Sequence, residues 1–514
     1  MHLLVRADAS TQRGTGHVMR CLALAQAWQR QGGQVRFLLA ERLVGLEKRL
    51  AAENVHLCYI SDHIAVGSAA DAAETIAHAQ NLNAAWLVVD GYDFGVDYQQ
   101  KVTLAGLPLL FVDDFGHCED YSANLVLNQN VYASESLYSQ RNSNTKLLLG
   151  CDYALLRAEF LPWVGWERET KPEAQKLLVT LGGSDANNQT LKVLQALAFV
   201  ETPLAVTVLI GAANRHKNVL EETAIALQHK HQITFLQNTA DIPALIAQAD
   251  IAVSAGGTTN WELAFLGLPT LILIIAENQK GIAHTLQRLG VAHQLGWYEK
   301  VDAAGIGQAL QAYLADHPKR QQMAQRGQEL VDGFGAERVV AAMMQAVFIE
   351  DGHQLSLRPA LPEDSKLYWH WANDHQVRAN AFHSDPIPWD DHQRWFKNKL
   401  KSQRARLWLL YRAGEPIGQI RYDLTENDAA EISFSVASEG RGQGAGTRLL
   451  QYTRHLACAA LGVRKVTGFV LQENQASSRA FEKAGFTCAK QEVIVHGKSC
   501  KQFEWMVTSD EKRY

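Results

Sequence analysis

The sequence has few cysteines, and their spacing forms no recognisable framework. The 514 residues include seven cysteines and no Cys-x-x-Cys pair: Cys21, Cys58, Cys118, Cys151, Cys458, Cys488 and Cys500. An odd number without such a pair argues against a disulfide scaffold and against a zinc site, and it is typical of reduced thiols in a cytoplasm. We therefore expect a cytoplasmic protein without a bound metal.

An excess of positive charge and long apolar runs are also missing. The formal net charge is -5, whereas a general nucleic-acid or anionic-membrane binder needs a basic face. No apolar run reaches the roughly 18 residues that span a bilayer, and strand-like residues at 3–5 leave no room for a signal peptide. We expect no nucleic-acid partner and no stable membrane association, although local clefts for phosphate groups remain possible.

The alternation of apolar runs and helical stretches predicts parallel sheets. At roughly 100–200 residues per domain, the length indicates about three units. In the first unit, residues 1–165, strand-like runs fall at 3–6, 35–39, 55–60, 86–90, 109–113, 125–127 and 147–149. Helices between strands of this length indicate a sheet that is covered on both faces.

The same pattern restarts in the second unit, residues 166–348, and changes in the third, residues 353–514. The second has strand-like runs at 176–181, 206–210, 233–236, 251–254 and 270–274, and a closing helix at about 317–347. Two doubly wound domains in tandem predict a ligand cleft at the carboxyl ends of their strands. The third has hairpin-like runs at 407–411, 416–422 and 430–436, which predict a mixed α+β domain.

A glycine loop follows the first strand and leads into a helix. Arg6-Ala7-Asp8 leaves the strand, and Gly14-Thr15-Gly16-His17 opens the helix, with Arg20 shortly after. Glycine lets a phosphate or sugar approach the backbone, and free amides at a helix start favour negative charge. The helix dipole disfavours a charged imidazole there, so a neutral His17 could act as a general base. The alternative is a first-turn histidine that merely lies at the surface.

The spacing of this opening resembles a known family. Arg6-x-Asp8 followed by Gly14-x-Gly16-His17-x-x-Arg20-Cys21-Leu22-x-Leu24-Ala25 is similar to the start of the UDP-sugar hydrolases of pseudaminic acid biosynthesis, relatives of the glycosyltransferase MurG. The similarity runs over about the first 340 residues and implies a GT-B arrangement of two Rossmann-like domains. It also implies inverting, metal-independent hydrolysis with His17 as the base, Asp8 as a second catalytic candidate, and substrate contacts from Arg6, Gly14, Thr15, Gly16 and Arg20.

Glycine turns in the second unit could bind the diphosphate and ribose of UDP. Such turns present amides to phosphates, and a carboxylate one turn into the following helix can accept both ribose hydroxyls. Glu262 matches the ribose-binding position of the related glycosyltransferases, although a solvated helix carboxylate is the alternative. The candidates are Gly182, Gly183, Ser184, Ser254, Gly256, Gly257, Thr258, Asn260, Glu262, Asn278 and Gln279.

Acidic and aromatic residues follow two strands of the first unit. Asp90-Gly91-Tyr92 and Asp113-Asp114-Phe115 both stand where a strand ends. Asp90 and Tyr92 are candidate sugar contacts, because carboxyl ends of parallel strands face the ligand cleft. The aspartate pair could bind the sugar or orient water, or it could simply cap its loop.

A second type of glycine loop lies in the third unit. Arg441-Gly442-Gln443-Gly444-Ala445-Gly446-Thr447 follows the strand that ends at Val436, and Asn474-x-x-Ser477 precedes Lys483-x-Gly485-Phe486. Together the two motifs resemble the coenzyme loop and later coenzyme helix of the GNAT N-acetyltransferases, in which successive amides bind a pyrophosphate. The resemblance implies acetyl-CoA contacts from Val436, the seven loop residues, Asn474 and Ser477.

The third unit departs from that family at one position. Many members have a tyrosine that protonates the leaving thiolate seven residues after the asparagine, and this chain has Phe481 there. Another group or water could supply the proton, or the thiolate could leave unassisted because it is only modestly basic. Glu431 is the first candidate for the base that takes the amine proton, and a surface strand carboxylate is the equal alternative.

The two resemblances together imply a nucleotide-linked amino sugar as common substrate. They imply acetylation of the 4-amino group of UDP-4-amino-4,6-dideoxy-N-acetyl-β-L-altrosamine, then hydrolysis of the diacetamido product. Three alternatives stay open: a UDP-sugar-dependent glycosyltransferase, a legionaminic-type isomer as substrate, and a third unit that only senses acetyl-CoA.

Overall fold

Three β-sheets organise the chain. This computed structural model describes residues 1–10, 14–182, 185–211, 214–237, 239, 241–350 and 353–507. The chain divides into two compact units, of which one comprises His2–Gln26 and Val35–Ala336. The other comprises Met1, Ala27–Gln34 and Glu337–Tyr514.

The first sheet has seven strands in the order β3-β2-β1-β4-β5-β6-β7. The pairs with a recorded register are all parallel, and the central strands are buried on both faces, as expected for a sheet between two helix layers. Its elements are β1 His2–Ala7, α1 Gly16–Arg30, β2 Gln34–Leu39, α2 Val44–Ala52, β3 His56–Tyr59, α3 Ala69–Leu82, β4 Ala84–Asp90, α4 Val96–Leu104, β5 Leu109–Val112, β6 Leu125–Asn128 and β7 Lys146–Leu149.

The second sheet repeats this design with six parallel strands in the order β10-β9-β8-β11-β12-β13. Its elements are β8 Lys176–Thr180, α5 Gln189–Ala196, β9 Ala205–Ile210, α6 Lys217–Leu227, β10 Gln232–Gln237, α7 Ile242–Gln248, β11 Ile251–Ala255, α8 Thr259–Phe265, β12 Thr270–Ile274, α9 Lys280–Leu289, β13 Ala292–Trp297, α10 Ala303–Ala315, α11 His317–Leu330 and α12 Gly335–Met343.

Both parallel sheets reverse their strand order at one point. In the first sheet this switch point lies between β1 and β4, and in the second between β8 and β11. Connections leave in opposite directions there and open a crevice beyond the carboxyl ends of the strands, where ligands of such sheets bind. The predicted loops around Gly14, Asp90, Gly182 and Gly256 follow these four strands.

The closing helix predicted at 317–347 is wrong in its extent. The chain forms α11 and α12 instead, and they are separated near Gly333, whose φ is +86°. A side chain there would meet Phe265, because an added Cβ would lie 2.6 Å from its ring. The helix α11 ends before this glycine, at the C-cap Val331, whose backbone is extended with φ -129°. The strand β13 was also missed, since His293, Gln294 and Gly296 interrupt its apolar pattern.

The third sheet has eight strands in the order β14-β15-β16-β17-β18-β19-β21-β20. Its elements are β14 Ala346–Glu350, β15 His353–Pro359, α13 Ser365–Ala372, α14 His375–Ala379, α15 Trp389–Lys401, β16 Ala405–Arg412, β17 Glu415–Leu424, β18 Ala429–Val436, α16 Ala445–Leu461, β19 Lys465–Leu471, α17 Gln475–Lys483, β20 Thr487–Val495 and β21 Lys498–Met506. The sequence did not predict β14, β20 or β21. The predicted boundary at 348 falls within β14, which pairs with β15.

The only parallel pair of the third sheet, within the described residues, parts before its strands end. β18 and β19 pair at residues 429–432 with 465–468, although β18 continues to Val436. Gly468 lies at the end of this pairing, and an added Cβ would lie 2.2 Å from the ring of Phe481. Phe481 is 2% exposed and stacks on Phe503 with ring centres 5.1 Å apart. Its ring therefore fills the core beneath the parting strands.

The loop after β5 is organised by the buried carboxylate of Asp113. Asp113 accepts hydrogen bonds from the backbone N–H groups of Phe115 and Gly116 and, at 2.6 Å, from the hydroxyl of Tyr121. The ring nitrogen Nδ1 of His117 lies 2.8 Å from its Oδ1 atom. Of the two alternatives left open for the aspartate pair, Asp113 adopts the loop cap.

The Asp113–His117 pair predicts a stability that depends on pH. Burial lowers the pKa of His117, but the bond to Asp113 outweighs it and raises this pKa to about 10, against about 6.5 for an unfolded histidine. Because the folded-state value is raised, the stabilisation is complete below about pH 6.5 and is lost towards pH 10. His117→Gln should cost about 1.5–3 kcal/mol at pH 6 and much less at pH 10, measured by unfolding at both values.

The exposed His63 provides the matched control, since His63→Gln should leave stability unchanged at either pH. A cost of His117→Gln that is the same at pH 6 and pH 10 would contradict the charged pair.

Candidate functional site

The side chains of His17 and Asp90 meet at the switch point of the first sheet. His17 lies in the first turn of α1, and Asp90 is the last residue of β4. The His17 Nδ1 atom lies 2.7 Å from Asp90 Oδ1. A carboxylate at this distance requires the hydrogen on Nδ1, so a neutral imidazole has its lone pair on Nε2. Asp90 orients the histidine through this contact, and its predicted role as a sugar contact stays a prediction.

Arg20 binds two carboxylates from neighbouring strands. Its Nε and Nη2 atoms donate to the two oxygens of Asp90, both at 2.7 Å, and Nη1 donates to Asp114 Oδ1 at 2.7 Å. Although burial alone would raise it, the charge of Arg20 and the hydrogen bonds from Arg20 and His17 hold the pKa of Asp90 well below its usual range. Arg20 is only 5% exposed and positions these groups, and its predicted substrate contact stays a prediction.

Arg6 and Asp8 form a buried structural pair. Arg6 is fully buried and donates two hydrogen bonds to Asp71, at 3.0 and 2.9 Å. Its Nη1 atom lies 2.7 Å from Asp8 Oδ1, which also accepts from the backbone N–H of Ala40. The guanidinium group of Arg6 is thus enclosed by protein, and its predicted substrate contact stays a prediction. Asp8 anchors the loop after β1, and its predicted catalytic role stays a prediction.

Tyr92 and Phe115 are exposed aromatic side chains beside His17. Tyr92 is 40% exposed and Phe115 42%, and their ring centres are 5.3 Å apart. The Tyr92 ring meets the His17 ring edge-on at 5.0 Å, and its hydroxyl donates to Asp114 at 2.6 Å. Asn278, which follows β12, donates to that hydroxyl at 3.2 Å. The predicted residues Tyr92 and Asn278 are thus brought together.

The glycine loop before His17 is open on its outer side. Gly14 has φ +77° and pairs with Ser10 across the loop, and Met19 donates its backbone N–H to the carbonyl of Thr15. Among the described residues, nothing lies within 4 Å of a Cβ added at Gly14 or Gly16. The substrate contacts expected of Gly14, Thr15 and Gly16 stay predictions.

Two predicted ligands in the second sheet hold its glycine turn. Asn260 donates to the carbonyls of Ala255 and Gly257, both at 2.7 Å. Gln279 accepts from the backbone N–H of Gly256 at 3.1 Å. The side-chain groups of Asn260 and Gln279 that were predicted to bind the ligand thus bind the backbone of the turn. They fix its shape. Ser254 is buried, and its hydroxyl donates to a backbone carbonyl.

The outer part of this turn and the loop after β8 remain candidate diphosphate contacts. Gly257 and Thr258 are half-exposed, and an added Cβ at Gly257 would meet nothing within 4 Å. Gly182 has φ +94°, a conformation that favours glycine. Gly183 and Ser184 lie outside the described residues.

Glu262 has a partner that the sequence did not indicate. Arg157 donates to Glu262 Oε1 at 2.9 Å and also lies 3.3 Å from Glu159. Burial raises the pKa of Glu262, and Arg157 offsets this only in part. The Glu262 side chain is 18% exposed, so it is partly accessible. Arg157 lies in the chain segment between the last strand of the first sheet and the first strand of the second. This segment has no periodic apolar pattern, so the sequence did not indicate a role for Arg157.

Asn130 and Tyr132 are further residues that sequence reasoning missed. Asn130 donates to Asp114 Oδ1 at 3.0 Å, and Tyr132 donates to the Asp114 backbone carbonyl at 2.9 Å. The signal was present, because Asn128-Gln129-Asn130 is a polar run directly after an apolar strand.

The glycine loop of the third sheet leads into α16 as predicted. Gly442 and Gly444 have φ +74° and +78°, and an added Cβ at Gly442 would meet nothing within 4 Å. Gln443 accepts from Arg412, and Ala445, Gly446 and Thr447 form the first turn of α16. The open backbone suits an anionic ligand at a helix start.

Arg441 makes hydrogen bonds to the N-terminal end of α14. Its Nη2 atom donates to Asp374 at 2.5 Å and its Nη1 atom donates to Gln376 at 2.8 Å. The Nε atom donates to the backbone carbonyl of Val436 at 3.2 Å. The guanidinium group thus links the end of β18 to another segment, and a direct coenzyme contact from Arg441 and Val436 stays a prediction.

The second coenzyme motif forms a helix cap. Asn474 precedes α17 and accepts from the backbone N–H of Ser477 at 3.0 Å, which satisfies a free amide of the first turn. Glu431 is exposed on β18. The predicted roles of Asn474, Ser477 and Glu431 stay predictions.

No helix within the described residues is long and apolar enough to cross a membrane. No group of three or more His, Cys, Asp or Glu side chains in this part of the chain is placed to hold a metal ion.

Relatives of known sequence match the chain along different parts. It is 20% identical over 504 residues to an uncharacterized protein of Methanocaldococcus jannaschii, covering 95% of this chain and 97% of that protein. It is 29% identical over 237 residues to the spore coat polysaccharide biosynthesis protein SpsG of Bacillus subtilis, covering 46% of this chain and 68% of SpsG.

A third relative is the UDP-2,4-diacetamido-2,4,6-trideoxy-beta-L-altropyranose hydrolase of Campylobacter jejuni, 25% identical over 292 residues, or 56% of this chain and 97% of that enzyme. Residues 177–333 match the glycosyltransferase family 28 C-terminal domain, and residues 354–487 match the acetyltransferase (GNAT) domain. Both resemblances are thereby confirmed: the chain joins a GT-B-type pair of Rossmann-like domains to a GNAT domain.

Proposed function

We propose that this chain acetylates the 4-amino group of UDP-4-amino-4,6-dideoxy-N-acetyl-β-L-altrosamine and then hydrolyses the product, UDP-2,4-diacetamido-2,4,6-trideoxy-β-L-altropyranose. The observation that carries the hydrolytic step is the contact between His17 Nδ1 and Asp90 at the switch point of the first sheet. An oriented, part-exposed histidine beside open glycine backbone is suited to activate water next to a bound sugar.

In the hydrolytic step His17 Nε2 takes a proton from water. The water oxygen attacks the anomeric carbon, the bond from this carbon to the UDP oxygen breaks, and UDP leaves with the electron pair. Attack from the side opposite to the leaving group inverts the anomeric configuration. Asp90 stabilises the imidazolium ion through Nδ1–H, and its own negative charge is retained by Arg20.

The second Rossmann-like domain would hold UDP. The amides of Gly257 and Thr258 and the loop at Gly182 are the proposed diphosphate contacts, since anions bind at such turns. Glu262 would accept the ribose hydroxyls through its accessible side while Arg157 keeps it ionised. Asn260 and Gln279 would keep the turn in shape.

Acetyl-CoA would be the co-substrate of the GNAT domain. Left-handed backbone at Gly442 and Gly444, with open space at Gly442, fits a pyrophosphate, and acetyl-CoA supplies an activated acetyl thioester. The 4-amino nitrogen attacks the thioester carbonyl carbon, the carbon–sulfur bond breaks, and Glu431 takes the amine proton. The thiolate leaves without a tyrosine, because Phe481 has no hydroxyl group and is buried.

The order of the steps follows from the substrate chemistry of the Campylobacter jejuni relative. That enzyme is named for a sugar with two acetamido groups, so acetylation must precede hydrolysis if this chain acts on the same sugar. The family 28 match favours one other function, transfer of the sugar to an acceptor in place of water.

The proposed order can be tested with purified chain and the UDP-linked 4-amino sugar. Without acetyl-CoA we expect little UDP release, because the unacetylated sugar is not the proposed hydrolase substrate. With acetyl-CoA, release of free CoA should precede release of UDP, measured by a thiol assay and by chromatography. UDP that appears equally fast without acetyl-CoA would contradict the ordered scheme, and UDP that requires an added sugar acceptor would indicate a glycosyltransferase.

His17→Ala should lower kcat for UDP release by about 10²–10⁴-fold, the contribution typical of a general base, and leave acetylation intact.

Asp90→Asn should lower kcat similarly because it disturbs the Nδ1–H tautomer, with the KM for the UDP sugar nearly unchanged. Thermal unfolding checks that the variants fold. The exposed His63 serves as control through His63→Ala. Loss of acetylation together with UDP release would show that the two activities do not separate as proposed.

A further inference from the structure

The GNAT domain has a polar strip on one face of its sheet. On the face towards α16, residues such as Ile420, Tyr422 and Ile432 are buried in an apolar core. Because side chains alternate along a strand, the intervening residues of β17 and β18 lie on the opposite face. These residues, here called the polar strip, are Gln419, Arg421, Asp423, Glu431, Ser433 and Ser435.

The register of β17 and β18 fixes which members of the strip are neighbours. Arg421 lies directly opposite Ser433, and Asp423 lies directly opposite Glu431. Glu431 and Ser433 are exposed. The pairing of β18 with β19 stops at Ile432, so the strip adjoins the place where these strands part. Arg421 and Glu431 are therefore diagonal neighbours beside an opening in the sheet.

Arg421 is held in place by its neighbours, but the hydrogen-bonding capacity of its guanidinium group is not fully used. Its guanidinium carbon lies 5.0 Å from the centre of the Trp395 ring, and its Nε atom lies 2.6 Å from Asp423 Oδ2. Asp423 also accepts from Lys399 at 2.7 Å, so one carboxylate serves two cations and one positive charge is left over. The Arg421 side chain is 26% exposed, and its buried Nε atom makes no hydrogen bond within the described residues, so its contact with Asp423 is an ion pair only.

We propose that Arg421 binds the phosphate on the anomeric carbon of the acceptor sugar while Glu431 faces the amine at the other end of the ring. Diagonal residues of an antiparallel pair lie about 7–8 Å apart, which suits the span of one pyranose ring with substituents at C1 and C4. This inference rests on the proposed acetylation and defines its acceptor class: amino sugars with an anomeric phosphate.

The choice of arginine suits this role. A guanidinium group presents a planar fork of donors that matches phosphate oxygens, and stacking on an aromatic ring limits its motion before the ligand arrives. The net positive charge of Arg421, Lys399 and Asp423 attracts the phosphate, and Glu431 attracts the protonated amine. The strip therefore orients the sugar by charge at both ends. A nucleotide sugar and a sugar 1-phosphate have this chemistry in common.

The test measures acetylation by the full chain with three acceptors: the UDP-linked 4-amino sugar, its 1-phosphate, and the free reducing 4-amino sugar. Release of CoA thiol gives kcat and KM for each. Arg421→Gln should raise the KM for both phosphorylated acceptors by about 10–100-fold, the effect of losing a charge-assisted bond. The KM values for the free sugar and for acetyl-CoA should change less than about twofold. Arg421→Lys should restore part of the loss.

Arg394→Gln is the matched control, because Arg394 is an arginine of α15 that is 74% exposed and pairs only with Asp391 within the described residues. An equal loss with the free sugar would show that Arg421 supports the fold, and no loss with any acceptor would show that it binds none. A loss with the UDP-linked sugar alone would place the recognised charge beyond the anomeric phosphate. Each of these overturns the inference. If the unaltered chain acetylates none of the acceptors, the proposed acetylation fails as well.

Discussion

The first candidate site depends on the ion pair between Asp90 and Arg20. The ionised carboxylate of Asp90 is fully buried at the end of β4. A buried charge is costly unless it is paired, and Arg20 compensates it with two bonds at 2.7 Å. The same arginine donates a hydrogen bond to Asp114, which also accepts one from the hydroxyl of Tyr92. Loss of this compensation would leave the charge unpaired and release His17. The orientation of His17 thus depends on the same contacts that compensate the buried charge of Asp90.

The strands and their parallel order could largely be predicted from sequence, because buried strands between helices have a simple apolar pattern. So could the places of the loops, since His17, Asp90 and Gly256 follow strands that neighbour one another at the switch points. The local sequence therefore indicates which positions form the site. It does not indicate which partner each side chain contacts, because that depends on which strands are neighbours in the sheet.

This explains why the partners of several predicted residues were not foreseen. Arg6 and Arg20 were predicted as substrate contacts, and nothing in the sequence indicates their partners Asp71, Asp90 and Asp114, which lie 65 to 94 residues away along the chain. Arg157 next to Glu262 was missed for the same reason, as the two are 105 residues apart. The edge strand β20 and its neighbour β21 were not predicted, because exposed residues interrupt their apolar pattern.

The packing of Phe481 on Gly468 has an evolutionary consequence. An added Cβ at position 468 would lie 2.2 Å from the ring, so a larger residue at one position requires a smaller one at the other. The two positions are expected to covary among relatives that carry the domain. Such a pair also restricts the routes by which a tyrosine could appear at position 481, since its hydroxyl group would need space or a hydrogen-bond partner within a core of stacked phenylalanines.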